Sequence, residues 1–307
     1  MSSIAPSFPF VSLDHIAIGR PITRCGVSLF PIYTHVVPRD YRTGPGSGVL
    51  ISEQASAEVP TLVAHNPTNQ PLLLVAGETV IGGRQNRVLN VSVVVPANSE
   101  VLVPVSCVEQ GRWNEGSFFE SGRSFAPRRV RRAKVATVGE NVRVSGVKFA
   151  DQGLVWDMVG SELNRVHAVS ASGALNAVEA HLDGDRALAE ALAELQKYGP
   201  LQGQCGVIVA HGSRIVSVEL FAAPAMLRAH WGALVRGILA DAPQGVVGRP
   251  SASQALRFMH RLATSTPVVT DGVGLGQEHH VRTPRMVAQV LVVDEAIVHA
   301  SAFALAA

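Results

Sequence analysis

The sequence predicts an α+β protein. A β-rich first half, an antiparallel sheet or sandwich, packs with a second half of helices and hairpins. Residues 49–110 form a series of short apolar runs separated by turn residues, and helical spacing becomes regular only after residue 150. Strands and helices do not alternate as a doubly wound α/β fold requires. We take residues 1–307 as one unit, which could divide into a β-rich subdomain, 10–145, and a mixed subdomain, 146–307.

The first half is predicted to contain five successive strands. Their sequences are VLISEQ, EVPTLVAHN, PLLLVAG, RVLNVSVVV and EVLVPVSCVE, with the turn signals NPTNQ and PANS between several of them. Residues 121–134, SGRSFAPRRVRRAK, then bring six basic residues together. We interpret this stretch as a solvated connecting loop. Contact with RNA is the less favoured interpretation, because no aromatic residues are interleaved with the basic ones.

The second half is predicted to begin with helices. Apolar residues recur at helical spacing over 151–166 and again over 174–198, where GDRALAE interrupts the pattern. The run 205–221, CGVIVAHGSRIVSVELF, is predicted to be a strand pair with HGSR as its tight turn. A helix of about five turns should follow, with the sequence APAMLRAHWGALVRGILAD.

The last part of the chain is predicted to contain one more helix, over 251–263, and a closing hairpin over 286–303 that turns at Asp294 and Glu295. Between them lies DGVGLGQEHH, 271–280, which is glycine-rich without being GxGxxG. We interpret it as a flexible surface loop. The valine-rich strands and the closing hairpin could present an edge for homo-oligomer formation.

Composition excludes several classes of protein. Hydrophobic residues make up 47% of the chain and charged residues 16%, which supports a sizeable core, and the net charge of +2 gives no general attraction to nucleic acid or membrane. The three cysteines are far apart and no CxxC, HxH or HExxH spacing occurs, so we expect no disulfide framework, no metal site and no cofactor. The N-terminus has no signal-peptide pattern, so we expect a cytoplasmic protein without a membrane span.

Two polar clusters stand out in the first half: GGRQNR, 82–87, and CVEQGRW, 107–113. If Val95 and Glu100 close a hairpin loop at PANS, antiparallel pairing places both clusters at the same end of that hairpin. In that register Asn86 faces Glu109 and Val88 faces Cys107. Asn86, Cys107 and Glu109 would then share one face, and Arg87 would lie on the other.

Three hypotheses are open for these clusters. The first is a binding site for an anionic small molecule or a nucleotide, because paired glycines could expose backbone N–H groups beside guanidinium donors. Its ligand-binding residues would be Gly82, Gly83, Arg84, Gln85, Asn86, Arg87, Arg112 and Trp113. The second is an enzyme acting on a phosphate- or ribose-containing substrate, a hydrolase or transferase with Glu109 as acid or base and Cys107 as nucleophile. The third is a structural network in which arginines pair with Glu109 and no small molecule binds.

The same segments carry a resemblance to a known family. GGRQNR, the valine-rich strand after it and VPVSCVEQGRW, together with DQGLVWDMV, CGVIVAHGSRIVSVELF and APAMLRAHWGALVRGILAD, resemble the ARG and rhodanese-phosphatase-superfamily-associated protein domain family from about residue 70 onward. The resemblance implies an accessory protein near nucleotide or ADP-ribose chemistry. It also implies partner proteins that process ADP-ribose or phosphate, and it implies no particular reaction.

Overall fold

The computed structural model describes residues 13, 16–34, 40–243 and 245–305. Within those residues the first half is almost entirely strands: β1 (Ile16–Ile18), β2 (Ile22–Arg24), β3 (Val27–Thr34), β4 (Arg42–Thr43), β5 (Leu50–Ser52), β6 (Thr61–Asn66), β7 (Leu72–Leu74), β8 (Glu78–Gly82), β9 (Arg87–Leu89), β10 (Val93–Val95), β11 (Ser99–Cys107) and β12 (Phe118–Phe125).

The second half mixes helices and strands: α1 (Arg128–Ser145), α2 (Gln152–Arg165), α3 (Val178–Gly184), α4 (Arg186–Tyr198), β13 (Gly206–His211), β14 (Arg214–Phe221), α5 (Pro224–Ala240), α6 (Ala252–Ala263), β15 (Val268–Asp271), β16 (Gln277–Thr283), β17 (Met286–Val293) and β18 (Ala296–Ala304). The α+β prediction is therefore confirmed. In the described part of the chain, no helix is both long and apolar enough to cross a membrane.

Six strands of the first half close into a barrel in the order β11-β6-β5-β12-β8-β9. The strands enclose a core of branched aliphatic side chains, among them Leu62, Leu89, Val103 and Val105. The prediction of an antiparallel sheet or sandwich includes β5, β6, β9 and β11 but misses β8 and β12, and the sheet closes on itself. Closure leaves the barrel without the exposed edge strands that an open sheet would have.

The remaining strands form two sheets, a small one in the order β10-β7-β4 and a larger one of nine strands. The order of the larger sheet is β1-β3-β13-β14-β18-β17-β16-β15, and β2 also pairs with β3. The first strands of the chain therefore belong to the same sheet as the last ones. One face packs against α4 and α5 through residues such as Val207 and Trp231, and the other packs against α6 through residues such as Ile208 and Phe258.

The closing hairpin is not an edge of this sheet. Strand β18 lies between β14 and β17, and β17 lies between β18 and β16, so both strands are paired on both sides. The expectation that this hairpin presents an edge for dimerisation is wrong, because the terminal strands of the sheet are β1 and β2 at one end and β15 at the other.

The basic stretch 121–134 is not a solvated loop. It contains the end of β12 and the first turns of α1, which passes between the barrel and the nine-stranded sheet. Arg131 donates to both carboxylate oxygens of Glu219 at 2.7 Å, and Lys134 donates to the carbonyls of Leu89 and Asn90 at 2.7 Å. Burial holds the pKa of Lys134 well below its usual value. These basic residues join the two halves of the fold.

The glycine-rich stretch 271–280 is also more ordered than a flexible surface loop. Strand β16 begins at Gln277, and Glu278 and His280 are buried. Lys148 forms a 2.9 Å ion pair with Glu278. The prediction of a flexible loop is wrong because the glycines lie only in the turn before the strand, between Gly272 and Gly276.

Candidate functional site

The two polar clusters meet on the barrel, but in a different register from the predicted one. Strand β11 pairs with β9 so that Cys107 lies opposite Arg87 and Val105 lies opposite Leu89. Strand β10 pairs with β7 and not with β11. The predicted register is therefore wrong by one residue, and the slip moves Arg87 to the Cys107 face.

Gly82 and Gly83 occupy backbone conformations with positive φ, which favour glycine. Their φ angles are +122° and +48°, and a Cβ on Gly83 would lie 2.1 Å from the Phe119 ring. Their N–H groups are already used: Gly82 donates to Asn86 Oδ1 at 3.1 Å and Gly83 to the Phe118 carbonyl at 2.9 Å. The expectation that these glycines expose free N–H groups to an anion is therefore wrong.

Arg112 holds the two clusters together. Its Nε donates to Glu109 Oε2 at 2.9 Å, and its Nη1 donates to the Gly83 carbonyl at 2.8 Å. Its Nη2 donates to the Gly82 carbonyl and to Asn86 Oδ1, both at 3.1 Å. Four of the five N–H groups of this guanidinium already have acceptors inside the fold, as the structural hypothesis expects.

Glu109 is the acceptor at the centre of this network. Oε1 accepts from Ser172 Oγ at 2.7 Å, and Oε2 accepts from the Asn86 N–H at 3.1 Å as well as from Arg112. Burial opposes the charge on this carboxylate, but the bonds from Arg112, Ser172 and Asn86 together lower the pKa of Glu109. A carboxylate held by three donors is a weak base, and it stays ionised too far into the acid range to act as a general acid near neutral pH.

Cys107 is fully buried, with no exposed side-chain surface. Its Sγ donates to the carbonyl of Glu109 at 3.3 Å. A nucleophile must reach its substrate, and a thiol enclosed on a barrel strand is typical of a small core side chain. The geometry does not favour the enzyme hypothesis at either Cys107 or Glu109.

A different arrangement surrounds Trp113, which is 47% exposed. The Arg84 guanidinium carbon lies 5.4 Å from the centre of the Trp113 ring, and that of Arg87 lies 5.9 Å from it. Both distances are within the range of cation–π attraction. Arg84, Arg87 and Trp113, which we call the Trp113 site, come from the two clusters that the sequence singled out.

The arginines of the Trp113 site are short of acceptors. Arg87 is fully buried, and Nη1 donates to Gln85 Oε1 at 3.1 Å. Within the described residues, Nε and Nη2 of Arg87 and Nε of Arg84 are buried and have no hydrogen-bond partner. Burial lowers the pKa of Arg87. Buried donors without acceptors are rare in proteins and costly, so this site has unused capacity for an acceptor.

Glu53 and Ser172 belong to the same region, and sequence reasoning missed both. Glu53 Oε1 accepts from the Arg84 N–H at 2.9 Å, while its buried Oε2 has no hydrogen-bond partner among the described residues. Both residues lie more than 30 positions from the clusters they contact, and neither belongs to a motif. The region has one net positive charge, because it contains three arginines and two carboxylates: Arg84, Arg87 and Arg112, and Glu53 and Glu109.

Metal-binding geometry is not found in the described chain. Over residues 13, 16–34, 40–243 and 245–305, no three His, Cys, Asp or Glu side chains are placed to hold a metal ion.

Comparison with known proteins gives one match. The model of the family described as "ARG and Rhodanese-Phosphatase-superfamily-associated Protein domain" matches residues 15–303. The match begins well before residue 70, where the resemblance seen in the sequence starts, and it includes the strands that join the large sheet. No curated protein and no solved structure matches the chain.

Proposed function

The chain belongs to the ARG and rhodanese-phosphatase-superfamily-associated protein domain family, and from this premise we propose that it is an accessory protein that binds an anionic, ring-bearing ligand at the Trp113 site. Nucleotides and ADP-ribose are the ligand class that combines both features. The observation that carries the proposal is the pair of guanidinium groups beside one half-exposed indole, with three buried N–H donors that lack acceptors.

The chemistry of the site fits both parts of such a ligand. A base or nicotinamide-like ring can stack on the exposed face of Trp113, and such stacking contributes about 1–3 kcal/mol per base. A phosphate or carboxylate can accept from Arg84, which lies nearer to solvent than the fully buried Arg87. A charge-assisted bond of this kind contributes about 1.5–3 kcal/mol.

The family description also supports the choice of partner. It names association with ARG and with the rhodanese-phosphatase superfamily. We propose that the ligand is one that such partner proteins make or consume, and that the chain itself recognises it without transforming it.

The test is a titration of the purified chain with ADP-ribose, ADP and inorganic phosphate. Affinity is read by calorimetry and by the rise in melting temperature, which increases with ligand concentration for any ligand that binds only the folded chain. We expect Arg84→Gln to weaken ADP-ribose binding by about tenfold to a hundredfold, because one charge-assisted bond is lost. Trp113→Ala should weaken it by a similar factor.

Arg186→Gln is the matched control, because the Arg186 side chain is 91% exposed and lies on α4. It should bind ADP-ribose like the unaltered chain. If neither ADP-ribose nor ADP binds, or if Arg84→Gln and Trp113→Ala bind as well as the control, the binding proposal fails and the clusters have a structural role only.

A further inference from the structure

A cavity of about 300 Å³, with a mixed polar and apolar lining, lies away from the Trp113 site. It opens where the turn between β2 and β3 meets the end of α2, helix α3, the first turn of α4 and the chain at the end of α5. Cys25, Arg165, His181, Asp185 and Ala187 are among its lining residues. We call it the Arg165 cavity. Its volume is at the lower end of the range found for ligand pockets, which suits a small molecule.

A series of arginines connected through shared carboxylates, which we call the arginine ladder, extends to the cavity wall. Arg128 Nε lies 2.7 Å from Asp241, and Arg129 Nε lies 3.4 Å from Asp241 and 3.5 Å from Glu162. Arg165, on the cavity wall, lies 2.7 Å from the same Glu162. Glu162 is fully buried and Asp241 is 3% exposed, so these two carboxylates are the acids that the ladder neutralises.

The ladder contains more positive charge than the two acids need. Arg132 lies close enough to Arg128, Arg129 and Asp241 for all three to act on its charge. Asp185, on the cavity wall, is a third carboxylate, so four arginines against three carboxylates leave one unbalanced positive charge (4 − 3) beside the cavity. An anion would balance it, and guanidinium groups match the geometry of phosphate oxygens.

His211, at the end of β13, is buried and lies close enough to three of these arginines for their charge to act on it. Burial, followed by the nearby Arg128, Arg129 and Arg165, lowers the pKa of His211 to about 3. The ring therefore stays neutral near pH 7, and it adds no further positive charge to a region that is already electropositive.

Donors remain at the cavity wall. Arg165 uses Nε and Nη2 for Glu162 and Nη2 for the Ala240 carbonyl, while Nη1 has no hydrogen-bond partner among the described residues. Burial and the neighbouring Asp185 raise the pKa of the Cys25 thiol, whose Sγ already donates to the Ala187 carbonyl at 3.4 Å. This raised pKa argues against a thiolate nucleophile at Cys25.

We propose that the Arg165 cavity binds a small phosphate-bearing molecule, with Arg165 as its principal donor. The site is independent of the Trp113 site and shares no residue with it. Phosphate fits this site because it is anionic at neutral pH and its oxygens match the donor geometry of a guanidinium group.

The test uses inorganic pyrophosphate as the probe. Binding is measured by calorimetry at constant ionic strength, with potassium chloride replacing the probe in the blank, since simple salt screens surface charge. The titration is run on an Arg84→Gln/Trp113→Ala chain, which removes the Trp113 site from the measurement. We expect binding with a dissociation constant of about 1 mM or tighter.

The diagnostic variant is Ala187→Glu, which puts a carboxylate at the cavity wall. Ala187 is exposed and lies in the first turn of α4, where an acidic residue favours the helix, so folding should be preserved. We expect about tenfold weaker pyrophosphate binding, from like-charge repulsion. Ala193→Glu makes the same change at another exposed position of α4, away from the cavity, and should leave the affinity unchanged.

Two results would overturn the proposal: no pyrophosphate binding at about 10 mM, ten times the expected dissociation constant, or equal affinities for Ala187→Glu and Ala193→Glu. Neither result affects the Trp113 site, because that site is already removed in these chains. Loss of ADP-ribose binding in Arg84→Gln likewise does not depend on the Arg165 cavity.

Discussion

Removal of Arg112 should destabilise the fold far more than removal of an exposed arginine. Arg112→Ala deletes donors to Glu109, to the carbonyls of Gly82 and Gly83, and to Asn86 Oδ1. Breaking a buried ion pair by removing one partner costs about 3–5 kcal/mol. The Arg112 side chain is 22% exposed and water can partly replace it, so we expect about 3 kcal/mol, at the low end of that range.

The assay is urea denaturation, read as a lower midpoint with an unchanged m value. Arg123→Ala is the matched control, because the Arg123 side chain is 67% exposed and its partners lie 3.3 and 3.7 Å away. It should change stability by less than about 1 kcal/mol. A double-mutant cycle with Glu109→Gln should show that the loss from Arg112→Ala shrinks once the carboxylate is neutral. If Arg112→Ala and Arg123→Ala lowered stability equally, the network around Glu109 would not be stabilising the contact between the two polar clusters.

Two further outcomes follow from the geometry. Gly83→Ala should lower stability by about 1–3 kcal/mol, because φ is +48° and the added methyl meets the Phe119 ring; an unchanged urea midpoint would show that this turn relaxes freely. His211→Gln should flatten the pH profile of stability: a histidine whose pKa falls from 6.5 to about 3 on folding contributes stability that is present above pH 6.5 and is lost progressively as the pH falls toward 3. Denaturation at several pH values tests this, and parallel profiles for the variant and the unaltered chain would contradict it.

Local patterns predicted several elements, but not α1, whose first turns were predicted as a loop. The helices over 152–165, 224–240 and 252–263 and the turn at Gly212 and Ser213 lie where periodicity and turn residues placed them. Such signals depend on neighbours within a few positions, which a single sequence contains. Closure of the barrel and the pairing of β3 with β13 depend on contacts between distant segments, so no local pattern could show them.

The register error has a local physical cause. The prediction assumed one continuous strand from Arg87 to Val95 facing β11. Instead the strand breaks between Leu89 and Val93, and β10 moves to another partner, β7. A count made from the PANS turn therefore loses one residue across the break. Within the break, Ser92 bonds to the distant His299, while Asn90 keeps its bonds to Pro104 and Ser106 of β11. A single sequence does not show which partner each of these residues takes.

The arginines in the conspicuous clusters of the sequence differ in whether their N–H groups have acceptors inside the fold. This difference distinguishes arginines with a structural role from those proposed to bind a ligand. Arg112 and Arg131 have acceptors inside the fold. Arg112 connects the two polar clusters, and Arg131 connects α1 to Glu219 and to the Ala76 carbonyl. Arg84 and Arg87 come from an equally conspicuous cluster and keep buried N–H groups without acceptors. Folding alone would favour replacing such donors with apolar side chains, because buried donors without partners cost free energy. The binding proposal accounts for their position beside an exposed indole, because a ligand stacked on Trp113 would bring an acceptor to them.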